Sequence, residues 1–354
     1  MIHPDFPLEA QTDLPGVSFS AMRQMILAHA ASAKLTVLED EGSQLTVQTA
    51  HGLVGLRSGR ETAVAGMVAS SDPHWLFVMK NAVISQMRAA LPDVADAMRW
   101  SDGGAAGGLP PNFMFVRARS VVPLGPVFLR VTLEGENVSA HGDDSIHFRL
   151  VQPPVEGVCE WPSMAANGSI LWPDGPGAPH NPEYTTRFAD HGANTLVTDV
   201  FLHEGGRTTE WARELMGGTR GRTVVGVVGP SGGGLLQADQ VLMATDETGF
   251  PAAARLLENL SAGARGLVLL EAENGADCAY PIAAPEGIEM RWLARARGET
   301  LAEATLAALP HFATAKIWFA GERADASRVR AAAKAAGFEN DNLRISSFWK
   351  AEVT

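Results

Sequence analysis

Beyond Gly234 the chain alternates short apolar runs with segments of helical periodicity, and this order constrains the fold more than any other feature of the sequence. Val241 to Ala244, Leu267 to Leu270, Ile288 to Leu293 and Lys316 to Ala320 read as strands, whereas Pro251 to Leu260, Leu301 to Leu309 and Ser327 to Ala336 read as helices. Continuous apolar strands separated by helices predict a mostly parallel sheet covered on both faces, an α/β domain spanning 233–354. The stretch before it, 112–232, has the opposite character. Phe128 to Leu133, Ile146 to Val151 and Thr195 to His203 are strand-like, and Ile146, Phe148 and Leu150 alternate with His147 and Arg149 at the period of a half-buried strand. About six such runs with little helix predict an antiparallel β-barrel.

The run Ser101-Asp102-Gly103-Gly104-Ala105-Ala106-Gly107-Gly108-Leu109-Pro110-Pro111 supports no regular element and sets off a third region, 1–100. There Met22, Met25, Ile26 and His29 recur at helical spacing behind Ser18 and Ser20, which can cap the helix. Leu45 to Thr49 and Leu53 to Leu56 follow as a hairpin or meander. Leu76, Met79, Val83, Met87 and Leu91 mark a second helix that stops at Pro92. The chain is thus expected to be multi-domain, with a small N-terminal α+β domain. Its histidines, His29, His51 and His74, are scattered rather than spaced as ligands, and no metal site is predicted. Because this region is patterned to bury its own core, a chain starting near Pro110 is expected to fold without it.

Charge and cysteine content exclude several functions. A net charge of -12 argues against a nucleic-acid partner, which is bound through an excess of Lys and Arg. Any anionic ligand must be held by backbone amides and a few local cations. Cys159 and Cys278 are the only cysteines and neither belongs to a Cys-x-x-Cys pair. They supply no disulfide framework and too few thiolates for an all-cysteine iron-sulfur cluster, and read as buried structural thiols. No stretch approaches the roughly 18 apolar residues of a membrane span. The first residues, Met1 to Glu9, lack the basic and apolar regions of a secretory signal, so the expected location is the cytoplasm.

Three segments carry chemistry. Val200 to Ala212 reads as a strand, a turn at Gly205-Gly206, and a helix opening on Thr208 and Thr209. The free N–H groups at such an end suit a pyrophosphate, with His203 and Arg207 beside the turn; the same pattern also suits an ordinary capped helix. Asp246, Glu247 and Thr248 follow the first apolar strand and precede a helix, the place where a dinucleotide binds a parallel sheet. Asp246 and Glu247 are expected to cap that helix and reach ribose hydroxyls. The second sheet strand ends in Leu270-Glu271-Ala272-Glu273, which favours a free ribose 2′-hydroxyl, while Arg291, Arg295 and Arg297 favour a 2′-phosphate. The acidic strand end leans the reading to NADH, and the arginines keep NADPH open. By contrast, Gly229 to Gly234 lacks a Walker lysine and does not open a helix, so it reads as a hinge.

The third segment, Pro182-Glu183-Tyr184-Thr185-Thr186-Arg187, resembles the Arg-x-Tyr-Ser/Thr signature of ferredoxin-reductase-like flavoproteins, with Pro182 in place of the first arginine. In isolation it is also an ordinary strand. Taken in order, Thr185-Thr186-Arg187, His203 to Gly206 with Trp211-Ala212, Val228-Gly229-Pro230, Ala244 to Thr248 with Pro251-Ala252, Phe319 to Glu322 and Ser347-Phe348-Trp349-Lys350 resemble the siderophore-interacting proteins, flavin-dependent ferric-siderophore reductases. The resemblance spans Phe113 to Lys350, and the region before Pro111 resembles a small domain fused ahead of some of these reductases. It implies an FAD-binding barrel, an NAD(P)H-binding sheet and a ferric siderophore as partner. It further implies that Tyr184, Thr185, Thr186 and Arg187 bind the flavin, that His203, Gly206, Thr208 and Thr209 lie at its phosphates, and that Asp246, Glu247 and Thr248 receive the nicotinamide nucleotide. Trp349 would cover the flavin face. No protein side chain need act as acid, base or nucleophile, because the cofactor carries the chemistry. Two other readings remain: a non-catalytic siderophore-binding or iron-delivery module, and a general NAD(P)H:flavin oxidoreductase.

Overall fold

The computed structural model describes residues 4–59, 64–103, 106–142, 145–218 and 222–351, the side chain of Ala140 excepted. Gly104 and Ala105 of the Gly/Pro-rich run therefore lie outside the described residues. The chain divides into two compact units, one formed by Met1–Phe113 with Pro154–Pro179 and the other by Met114–Pro153 with His180–Thr354.

In the first unit five antiparallel strands, β1 (Leu8–Leu14), β2 (Thr36–Glu41), β3 (Gln44–Thr49), β4 (Gly52–Ser58) and β5 (Val64–Ser70), form a sheet of order β1-β5-β4-β3-β2. Helix α1 (Phe19–Ser32) begins where the Ser18 side chain accepts from Ala21 N, and α2 (Pro73–Ala90) where Asp72 accepts from Trp75 N with Pro73 in the first turn. Pro92 ends α2 and opens the short α3 (Pro92–Ala97). The core collects Leu45, Val47, Val68, Met22, Ile84 and Met98. His29, expected on the apolar stripe of α1, is exposed, and its neighbour Ala30 is buried instead.

In the second unit, strands β6 (Phe113–Leu124), β7 (Phe128–Glu134) and β8 (His147–Val151) come first. The segment belonging to the first unit intervenes, with its two-stranded pair β9 (Ser163–Met164) and β10 (Ile170–Leu171). Strands β11 (Glu183–Thr185), β12 (Phe188–Asp190) and β13 (Thr195–Phe201), helix α4 (Arg207–Met216) and β14 (Val224–Ser231) complete a seven-stranded sheet of order β11-β8-β14-β6-β7-β13-β12. Its two outer strands are consecutive in the chain. Between them Thr186 N donates to Ile146 O and Arg187 N to Val197 O, so the antiparallel sheet closes on itself as a barrel.

The last part is a parallel sheet of order β17-β16-β15-β18-β19, built from β15 (Gln240–Asp246), β16 (Arg265–Ala272), β17 (Ile288–Ala294), β18 (Lys316–Glu322) and β19 (Leu343–Trp349). Successive residues serve opposite faces. Val241, Met243, Val268, Leu270 and Trp318 cluster with α5 (Phe250–Glu258) and with Phe128 and Ile146 of the barrel, whereas Leu242, Ala244, Leu269, Ile317 and Phe319 cluster with α6 (Leu301–Ala308) and α7 (Arg323–Ala335). Burial on both faces is why these strands read as continuous apolar runs. Strand order reverses between β15 and β18, the point where open α/β sheets bind ligands.

Candidate functional site

A cleft of about 630 Å³ opens between the barrel and the carboxyl ends of the sheet strands. The barrel side presents His147, Tyr184, Thr185, Phe201 and His203, and the sheet side presents Glu247, Thr248, Pro251, Phe348 and Trp349. Asp199 also reaches the cleft, but Arg130 at 2.7 and 2.8 Å and the Tyr280 hydroxyl at 2.7 Å saturate its carboxylate.

On the signature strand, Tyr184 pairs with Phe148 and Thr185 with His147 across β11 and β8. Burial pushes the Tyr184 phenol up to about 12, with a hydrogen bond shared with Thr208 acting the other way, so it stays protonated. The Thr185 hydroxyl lies 3.5 Å from His147 Nδ1. Burial above all, and then the Arg344 charge, hold the His147 imidazole at about 4 against the pull of Glu183. The next two residues of the motif turn elsewhere. The hydroxyl of Thr186, fully buried, donates to His141 O at 3.1 Å. The Arg187 guanidinium, 4% exposed, forms a bidentate pair with Glu258 on α5 and sits 4.1 Å from the Phe188 ring centroid. Neither side chain lines the cleft.

Helix α4 opens at Gly206 with no side-chain cap, which leaves its first N–H groups without a capping oxygen. A Cβ at Gly206 would fall 2.6 Å from His203 Cε1 and 2.9 Å from Thr209 Oγ1, so any other residue there would have to displace the His203 ring and the Thr209 hydroxyl. Thr209 Oγ1 accepts from His203 N at 3.3 Å, and the Thr208 hydroxyl donates to Gln152 Oε1 at 2.9 Å. Both threonines are buried behind the turn rather than in the cleft. Gln152 is itself buried and its Nε2 has no hydrogen-bond partner among the described residues. Arg207 is exposed in the first turn of α4. His180, which pairs with Gln152 through the backbone, is lowered to about 4 by burial and the Arg207 charge. Uncapped amides and an exposed guanidinium are donors of the kind that bind an anion. Gln152 and His180 escaped the sequence reading because nothing local marks them.

At the sheet, Asp246 caps the short turn Glu247–Gly249 rather than α5 itself. Its Oδ1 accepts from Thr248 N at 2.9 Å and from the Thr248 hydroxyl, and its Oδ2 accepts from the Trp349 indole at 2.6 Å. Burial raises its carboxyl above the usual range, with those hydrogen bonds opposing. Glu247 is held by Arg295 and accepts from Glu273 N at 3.1 Å. Trp349, at the end of β19, is 45% exposed over the cleft. Also on the lining, Arg344 donates to the carbonyls of Gly233 and Gly234, and Arg330 to Ile345 O. The structure thus brings Tyr184, Thr185, His203, Glu247, Thr248 and Trp349 to one cleft and leaves Thr186, Arg187, Gly206, Thr208, Thr209 and Asp246 off its lining.

Two family models match the chain: one described as a siderophore-interacting FAD-binding domain over residues 117–234, the other as siderophore-interacting protein over 238–352. The NADPH-dependent ferric-chelate reductase of Escherichia coli is 29% identical over 236 residues, covering 64% of this chain and 88% of the relative. The ferric vibriobactin reductase of Vibrio cholerae is 31% identical over 173 residues, covering 47% and 61%. Among solved structures, the siderophore-interacting protein of Aeromonas hydrophila aligns with a TM-score of 0.54 at 20% identity, covering 69% of this chain and 93% of that one. A siderophore utilization protein from T. fusca aligns with a TM-score of 0.53 at 24% identity, covering 71% and 97%. At these identities the structural likeness speaks for the fold.

Proposed function

Because this chain belongs to the siderophore-interacting protein family, we propose that it is an FAD-dependent reductase that uses NADH or NADPH to reduce the iron of a ferric siderophore in the cytoplasm. The observation that carries the reading is the single cleft onto which a barrel strand with Tyr184 and Thr185, the turn before an uncapped helix, and the switch point of a parallel sheet all open. FAD fits the residues present. The unpartnered Gln152 Nε2, the amides behind Gly206 and the exposed Arg207 supply donors for its phosphates, and Tyr184 and Thr185 supply the barrel wall for its ring system.

Bound FAD would convert the two-electron hydride of the donor into the single electrons that ferric iron accepts. The chain's own residues bind, orient and shield. Tyr184 keeps its phenolic proton and His147 stays neutral, so neither of these two groups changes charge near physiological pH. Trp349, fixed by Asp246, covers the sheet side and excludes water from the place a nicotinamide must occupy. Thr248 and the ends of β15 and β18 receive the donor nucleotide. Hard oxygen ligands hold the ferrous product less strongly than the ferric substrate, which releases the iron. The purified chain should show oxidised-flavin absorption. Under anaerobic conditions it should bleach with NADH or NADPH and regain colour on addition of a ferric siderophore while a ferrous chelator develops colour. A colourless protein that takes up no FAD would overturn the reading in favour of a binding module.

A further inference from the structure

The ends of β15, β16 and β17, on one side of the switch point, gather around a single cation. Arg295 follows β17 directly. Its Nη2 lies 2.5 Å from Glu247 Oε1, its Nη1 2.9 Å from Glu247 Oε2 and 3.0 Å from Glu271 Oε1, and its Nε 3.5 Å from Glu273 Oε2. Every nitrogen of the guanidinium therefore faces a carboxylate. The Glu247 and Glu271 side chains are 5% and 10% exposed and wall the arginine from below, whereas Glu273, at 66%, stands outermost toward solvent. Glu271 is further fixed by the backbone N–H of Leu301. On the same strand Arg291 lies 3.8 Å from Glu299, which leaves Arg297, exposed in the turn, as the cation without an ion pair among the described residues of this group.

In open parallel sheets the end of the second strand meets the adenosine ribose, where a carboxylate accepts a 2′-hydroxyl or a free arginine takes a 2′-phosphate. Here that strand is β16, and it ends in Glu271 and Glu273. Resting on the proposed donor site, we infer that this pocket selects NADH and rejects NADPH. A 2′-phosphate would approach an arginine already neutralised by the carboxylates of Glu247 and Glu271 and would meet the exposed Glu273 beside it. Glu247 belongs both to this cluster and to the cleft lining, so the discriminating group is continuous with the site it serves.

The test is calorimetric titration of the full chain with NAD⁺ and NADP⁺, which reads binding without turnover. NAD⁺ should bind at least tenfold more tightly, the size of one screened charge at several ångströms. Glu273→Gln should narrow the ratio by tightening NADP⁺. Equal or tighter NADP⁺ binding by the unmodified chain overturns the inference, and its loss in Arg297→Ala would name the residue responsible. Binding of neither nucleotide would instead overturn the donor site on the sheet.

Discussion

The indole N–H of Trp349 donates to Asp246 Oδ2 at 2.6 Å, joining the last strand of the sheet to the first across 103 positions of sequence. The acceptor is a buried carboxylate whose other oxygen is taken by Thr248. Trp349→Phe keeps a ring over the cleft but deletes the donor, leaving Oδ2 unsatisfied. Loss of one partner of a buried charged group costs about 1–3 kcal/mol. Urea unfolding of Trp349→Phe should show that loss at neutral pH, and an unchanged midpoint would mean that solvent replaces the indole without penalty.

Arg187 yields a different expectation once its partner is known. The sequence motif assigns it to the flavin, yet its guanidinium is buried against Glu258 on α5. Arg187→Ala should cost about 2–3 kcal/mol of stability, below the loss for breaking a fully buried pair because Glu258 is partly exposed. Glu258→Ala should cost more, since it strands a buried positive charge. Flavin content should fall only as far as the folded fraction falls. An Arg187→Ala protein of full stability that has lost its flavin would restore the assignment made from sequence.

What the sequence revealed and concealed follows from the range of the interactions. The parallel sheet was legible because Val241 to Ala244 and Ile317 to Ala320 are buried on both faces and must be apolar throughout. The edge strand Leu343–Trp349 was not. Among its seven residues only Ile345 is buried, and Arg344 serves the carbonyls of Gly233 and Gly234 instead of the core. Gly206 could be read locally, since a turn into a helix is a short-range event. Arg187–Glu258, 71 positions apart, and Thr208–Gln152, 56 apart, could not. Nor could the three carboxylates around Arg295, which come from the turn after β15, the end of β16 and the turn that follows it.

Stability should rise with pH between about 4 and 6.5. Burial holds the His147 imidazole, first of all, and that of His180 at about 4, below their ordinary 6.5. Between those values the unfolded chain binds protons that the folded protein refuses, so stability is full above 6.5 and is lost as pH falls towards 4. For His147, the more enclosed of the two, the slope is at most about 1.4 kcal/mol per pH unit. His147→Gln should flatten the profile of chemical-denaturation midpoints across this range. A slope identical to that of the unmodified chain would show that His147 titrates normally.

The independence expected of a chain starting at Pro110 is not what the contacts within the first unit support. Residues 154–179 leave the barrel after β8 and return at β11, and between those points they pack as part of that unit. Gly107 N donates to Met164 O at 2.8 Å and Met164 N to Gly108 O at 2.9 Å. The buried Asn167 amide donates to Ala95 O at 2.9 Å, and Gly168 approaches Trp100 so closely that a Cβ there would lie 3.2 Å from the indole. Truncation at Pro110 removes each of these partners and exposes Met164 and an unsatisfied amide on the strap that leads to Tyr184. The truncated chain should therefore be poorly soluble and low in flavin. Gln152 and His180 are paired antiparallel at the two roots of the strap, so a short turn can join Pro153 to His180. Replacing residues 154–179 by such a turn in the truncated chain should restore solubility and FAD uptake, because the barrel and sheet then lack only what belongs to the other unit. A simple truncation as soluble and as yellow as the full chain would show that the strap needs no partner. Failure of the turn-closed chain would show that the first unit supports the barrel itself.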